Sequence, residues 1–155
     1  MKLATIANGI GKGVLAGVAG TTAMTLSSTV EAKLRGRAFS SAPADAAAKL
    51  LGIKEFESEA AKARFSNLVH WGYGTGWGVA RGALRAFGVS SAASTPAHFL
   101  SIWGSALFML PALDVAPPAW TWRKEDLAID VFHHAVYVTA TAYTYEWLDS
   151  QRRGL

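Results

Sequence analysis

Five side chains able to exchange a proton or hold a metal ion stand among long apolar stretches: His70, His98, Asp130, His133 and His134. Asp130 precedes His133 by three residues and His134 by four, so on a helix the three share one face. His70 lies in a second uncharged run. If both segments are helices entering from the same side, His70 and the His133–His134 pair each lie about two turns in, at about 1.5 Å rise per residue. Glu31 falls on that side too. His98 opens a third run at the opposite surface and stands outside the group.

Three kinds of chemistry fit such a set. Buried polar groups need partners, so the first is a hydrogen-bonded network in which Asp130 orients a histidine while Asn67 and His70 answer from the facing helix. The second is a cofactor site, with His70, His133 and His134 as ligands of haem iron. Alternatively, the same residues with Asp130 surround a divalent metal ion, the carboxylate acting as a ligand or holding an imidazole in place. The third is a proton or substrate relay through Asp130 and the histidines, a common role for ionisable groups at membrane depth. The network, which needs no cofactor, comes first in this order.

Other chemistries are absent. The chain has no cysteine, hence no thiol nucleophile and no disulfide framework. It holds no P-loop, nucleophile elbow or HExxH, and no catalytic residue is assigned. The series Gly72, Gly74, Gly76 follows no strand and is not a dinucleotide fingerprint. A net charge of +4 and a pI near 9.6 suit anionic headgroups. No basic stripe interleaved with aromatics points to nucleic acid.

The elements that position these residues follow from where charge is missing. Charged residues make up 17% of the 155-residue chain, against about 25% in soluble domains. Residues 13–30, 65–80, 86–113 and 131–145 contain no Asp, Glu, Lys or Arg. A helix crosses the hydrocarbon layer with about 20 mostly apolar residues. These runs predict spans near 5–29, 65–86, 97–115 and 127–148, an all-α four-helix transmembrane bundle forming one domain over 1–155. Burial in a soluble core is the competing reading. Soluble surface helices, however, carry a polar stripe that the second and fourth segments lack. Trp71, Tyr73, Trp120, Trp122, Tyr145 and Trp147 lie near span ends, where amphipathic rings favour the headgroup layer.

The first segment is interrupted by Asn8, Gly9, Gly11 and Lys12, which predicts a retained span and not a cleaved signal peptide. The polar connection 31–64 contains a short amphipathic helix over Pro43–Gly52, with Ser41 as N-cap. Glu55–Arg64 forms a second helical piece running into span two. Both pieces are expected on the membrane surface. Nine cations in the first and third loops (Lys33, Arg35, Arg37, Lys49, Lys54, Lys62, Arg64, Arg123, Lys124) face five on the other side (Lys2, Arg81, Arg85, Arg152, Arg153), which leans those loops toward the cytoplasm.

Glycine is placed with a period. Gly9, Gly13 and Gly17 recur every four residues in span one, with Ala16 and Gly20 alongside. Gly74, Gly78 and Gly82 do the same in span two. Each costs a helix about 1 kcal/mol relative to alanine. Close backbone approach is the compensation available in lipid. The two spans are therefore expected to pack on each other or on copies in another subunit.

The stretches Gly13-Val-Leu-Ala-Gly-Val-Ala-Gly20 and Asn67-Leu-Val-His-Trp-Gly-Tyr-Gly74, with Asp130 and His133 near the start of span four, resemble the YagU-like family of small bacterial inner-membrane proteins, a domain of unknown function. The resemblance implies a multi-pass inner-membrane protein and supplies no catalytic residues. The expected function is that of a small accessory or structural subunit in the bilayer, assembling as a homo-oligomer or with a larger membrane complex. A haem- or metal-binding redox subunit is the alternative, and a proton-coupled transporter component the third reading.

Overall fold

The structure is a computed structural model that describes residues 3–38 and 40–153. Lys2 and the side chains of Arg152 and Arg153, counted above among the cations, lie outside what is described. Five α-helices follow one another: α1 (Leu3–Arg35), α2 (Ala42–Leu50), α3 (Glu59–Ala86), α4 (Ser91–Ala112) and α5 (Lys124–Arg153), with a 3-10 turn at Ala119–Thr121 before the last. Among the described residues there is no strand.

Local chemistry sets the boundaries. α1, α2 and α3 each end at a glycine in the left-handed region, Gly36, Gly52 and Gly88. Beyond each, the next amide donates five residues back, as in Arg37 N–H to Ala32 O at 3.0 Å. Asp114, with φ +49°, takes the same role after α4. Ser58 Oγ accepts from Ala61 N at 3.1 Å and starts α3 at Glu59. Glu55–Glu57 therefore stay outside the helix, where the sequence reading had included them. Ser90 caps α4 in the same way, accepting from Ala93 N at 3.3 Å. That helix begins before Pro96, six residues ahead of the expected start at residue 97.

α1 and α3 run antiparallel along their glycines. Gly9 lies against Gly82, Gly13 against Gly78, and Gly17 against Thr75 and Gly78. A methyl group on Gly13 or Gly82 would meet a carbonyl oxygen of the facing backbone. One on Gly78 would meet both the Gly13 carbonyl and the Gly17 backbone. Gly74 sits against the Thr21 side chain. Both ridges are thus used inside one chain, and the same glycines could meet another subunit only if α1 and α3 parted.

The other face of α1 takes α5. Gly20 abuts Thr141 and Tyr137, and Lys12 pairs with Asp149 at 2.6 Å. α4 runs antiparallel to both α3 and α5, its early residues beside Arg81 and its Trp103 beside Asp130. Ile102, Tyr137 and Val138 form a small buried core with Met24, Trp77 and Phe99 against it. α2 lies outside this bundle, but Lys49 Nζ donates to the carbonyls of Leu113 and Asp114 at 2.6 and 3.0 Å. The first and third connections therefore meet at one end.

By length and composition one helix, α1, is long and apolar enough to cross a membrane. The other three expected spans fall short of that measure for visible reasons. α3 carries Lys62, Arg64, Arg81 and Arg85. α4 contains two prolines and four serines. α5 carries Asp130 with two histidines, and Glu146. The surface is nevertheless apolar on every long helix, with Leu15, Leu26, Leu68, Leu100, Phe108 and Tyr143 exposed. The accessible surface is 9454 Å², against about 7,500 Å² for a soluble monomer of this mass.

The glycine contacts separate two substitutions. Gly78→Ala places a methyl group against backbone on both sides and should destabilise the fold by about 1–3 kcal/mol, the usual cost of overpacking. Gly76→Ala, which faces open space among the described residues, should be neutral or stabilise by up to about 1 kcal/mol through helix propensity. Thermal unfolding of both variants in one detergent measures the difference.

Candidate functional site

Two polar clusters lie inside the bundle, one at each end. At the first, the hydroxyls of α1 decide what the histidines do. Thr25 Oγ1 donates to Thr21 O at 2.7 Å, so its remaining contact, 2.8 Å from His70 Nε2, must be accepted from the ring N–H. Ser27 Oγ likewise donates to Met24 O at 3.0 Å and accepts from His133 Nδ1 at 2.9 Å. His133 Nε2 then faces Glu31 at 3.6 Å and has no hydrogen-bond partner. Glu31 is itself held by Arg37, whose Nε and Nη2 donate to its two carboxylate oxygens.

Asp130 and His134 form a separate pair. Trp103 Nε1 donates to Asp130 Oδ2 at 2.8 Å, tying α4 to α5. His134 Nδ1 donates to the Asp130 carbonyl at 2.8 Å. The four residues of the expected metal or haem site are therefore parted. Thr25 and Ser27, two residues apart, point about 200° apart around α1, so His70 and His133 approach that helix from opposite sides. Asp130 and His134 turn toward α4 and their own backbone. Among the described residues no group of three or more His, Asp or Glu is placed to hold a metal ion. The donors do not fit a shared ion, nor two imidazoles facing across one haem. Asn67 takes no part in the hydrogen bonds around His70.

The second cluster was not anticipated as a site. Arg81, counted above as a loop cation, is wholly buried. Its Nη1 donates to Thr95 Oγ1 at 2.9 Å, and its Nη2 to Ser91 Oγ at 3.3 Å and Glu146 Oε1 at 3.1 Å. Arg85 shares Glu146, its Nε 2.9 Å from Oε1. The guanidinium carbon of Arg81 lies 5.9 Å from the centre of the Tyr145 ring. Tyr145 is therefore inside the bundle, 3% exposed, and not on its outer surface. A signal existed in the sequence: Arg81 follows Gly74 by seven residues and Gly78 by three, which puts it on the glycine-ridge face.

Between the clusters, Tyr137 donates to the Gly74 carbonyl at 2.5 Å. His98, expected at a surface, is wholly buried and donates from Nε2 to Trp77 O at 2.9 Å, leaving Nδ1 without a partner. No side-chain hydrogen bond links the two clusters among the described residues. Each is a tie between helices: Thr25–His70 joins α1 to α3, Ser27–His133 joins α1 to α5, and Arg81 joins α3 to both α4 and α5.

Outside the bundle, Arg123 hydrogen-bonds Asp126 at 2.9 and 3.1 Å and holds its carboxyl below the ordinary value of 3.8, with Arg35 adding at 3.6 Å. Glu31 raises the Arg37 guanidinium in return for its own pairing. A depressed carboxyl stabilises the fold fully above its unfolded value and loses that contribution as pH falls through the folded one. Stability should therefore decline on acidification below about pH 4, and Asp126→Asn should flatten that limb, read as unfolding midpoints across pH.

Compared with family models, curated proteins and solved structures, the chain matches none. The resemblance to the YagU-like family thus rests on the quoted stretches alone.

Proposed function

We propose that the chain is a multi-pass protein of the bacterial inner membrane, a four-helix bundle of α1, α3, α4 and α5, serving as a small accessory or structural subunit and not as an enzyme. The supporting observation is an inverted distribution of polarity. Thr21, Arg81, His98 and His133 are buried, while Leu15, Leu68, Leu100 and Phe132 of the same four helices point outward. Water favours the reverse. Hydrocarbon favours this arrangement, because polar groups there must find partners within the protein.

The same inversion explains why composition supports one span only. The charges of α3 are counted against it, yet Arg81 is turned inward onto Glu146 and Arg85 is mostly covered. The structural role follows from how the ionisable residues are used. His70, Asp130 and His133 each bind a side chain of another helix, and His134 binds the carbonyl of Asp130. A partner or a second copy would meet the outer apolar faces, since the glycine ridges are occupied.

Two experiments test the two halves. Leu100→Lys puts a charge on the proposed lipid face near mid-helix and should disfavour insertion by about 2.5–3.5 kcal/mol, lowering the fraction of chain that resists alkaline extraction from membranes. In water the same change at an exposed position would stay within about 0.5 kcal/mol. Wild-type protein that remains monodisperse in buffer without detergent overturns the membrane reading. Purification from native membranes should yield a homo-oligomer or a stoichiometric membrane partner, and a solitary monomer overturns the subunit reading.

A further inference from the structure

Two guanidinium groups, Arg81 and Arg85, meet one carboxylate, Glu146. Among the described residues neither arginine has a second acidic partner in its ion pairs, and Asp149, one turn beyond Glu146 on α5, is engaged with Lys12 at 2.6 Å. One positive charge is left over where α3 ends and α4 begins. Arg81 is wholly buried with its Nε unpartnered. The Arg85 side chain is 15% exposed and reaches the surface. An uncompensated charge in such a place is strongly disfavoured and calls for an anion. The first turn of α4, starting at Ser91, adds its positive dipole end.

Thr95, which accepts from Arg81, also lines a groove of about 410 Å³ between α4 and α5, walled by Pro96, Phe99, Leu100, Val138 and Thr139. It is an open, largely apolar surface groove. Leu100 lies nine residues beyond Ser91 on α4, and Val138 eight residues before Glu146 on α5. At about 1.5 Å per residue they are about 12–14 Å along their helices from Ser91 and Glu146. The groove therefore starts at Thr95, whose hydroxyl accepts from the buried Arg81, and runs toward the middle of the bundle.

We infer that this is a binding site for an anionic phospholipid, its phosphate against Arg85 and its acyl chain along the α4–α5 groove. The inference rests on the membrane reading above. An apolar helix of a partner would fill the groove but bring no negative charge to the arginines. A phospholipid supplies both, in the order and at the separation that the groove presents.

The test reconstitutes the full chain into vesicles of phosphatidylcholine, alone or mixed in equal parts with phosphatidylglycerol. The protein is then re-extracted in mild detergent, and retained lipid is identified by native mass spectrometry. Wild type should retain one phosphatidylglycerol per chain in preference to phosphatidylcholine. Arg85→Gln should lose about fivefold of that preference, the share of one cation near a surface. Arg85→Lys should keep it, and Thr139→Trp, an exposed position on the groove wall, should retain neither lipid. Equal retention of both lipids by wild type overturns the site, as does capture of inorganic phosphate with no lipid. If a variant fails to fold, the wild-type comparison decides alone. Insertion into both vesicles with no lipid retained overturns the site and leaves the membrane reading standing, whereas failure to insert overturns both.

Discussion

The approach of α1 to α3, backbone against backbone, is the constraint on which the other positions depend. At Gly13 and Gly78 there is no side chain on either surface, and the carbonyl of each residue occupies the space a Cβ would need. Dispersion over such a contact is large because so many atoms reach optimal separation at once. With α3 this close, the Thr25 hydroxyl comes within reach of His70, and the opposite face of α1 is left for α5. Gly20 then admits Tyr137 and Thr141, and Tyr137 in turn reaches the Gly74 carbonyl. α4 arrives last in this hierarchy, held by Arg81, Trp103 and His98 more than by close packing.

The polar interior follows a simple rule: hydroxyls that have already spent their hydrogen on the preceding turn become acceptors for a ring from another helix. Thr25 and Ser27 both do this. The cost of placing such residues in a helix, where they compete with the backbone, is offset by fixing the rotation of α3 and α5 about α1. Among the described residues, buried side-chain nitrogens without a hydrogen-bond partner are confined to Arg81, Arg85, His98 and His133.

Much of the architecture is readable in the chain, and the limits are physical. The fourfold spacing of Gly9, Gly13, Gly17 and of Gly74, Gly78, Gly82 is plain in the sequence, but what each glycine touches is not. Long helices over the four uncharged runs could be anticipated, while their starts were shifted by single capping serines, Ser58 and Ser90. Position along the helices is readable in the chain, and His70 and His133 meet Thr25 and Ser27, two residues apart on α1. Rotation about α1, which parts His70 from His133, has no signature in spacing. Arg81 and Glu146 are 65 residues apart, so their pairing could not be seen from local charge. Arg81 therefore looked like a loop cation, and Tyr145 like an interfacial ring.

The amine of Lys49 caps the end of α4 from outside the bundle, taking the carbonyls of Leu113 and Asp114 just beyond its last turn. The connection between α1 and α3 is thereby a clasp on a helix to which it is not adjacent in sequence. Severing that connection, or acetylating this one lysine, would release both carbonyls at the least closely packed of the four long helices. Damage to a peripheral loop would then register as fraying at the end of α4, remote from the cut.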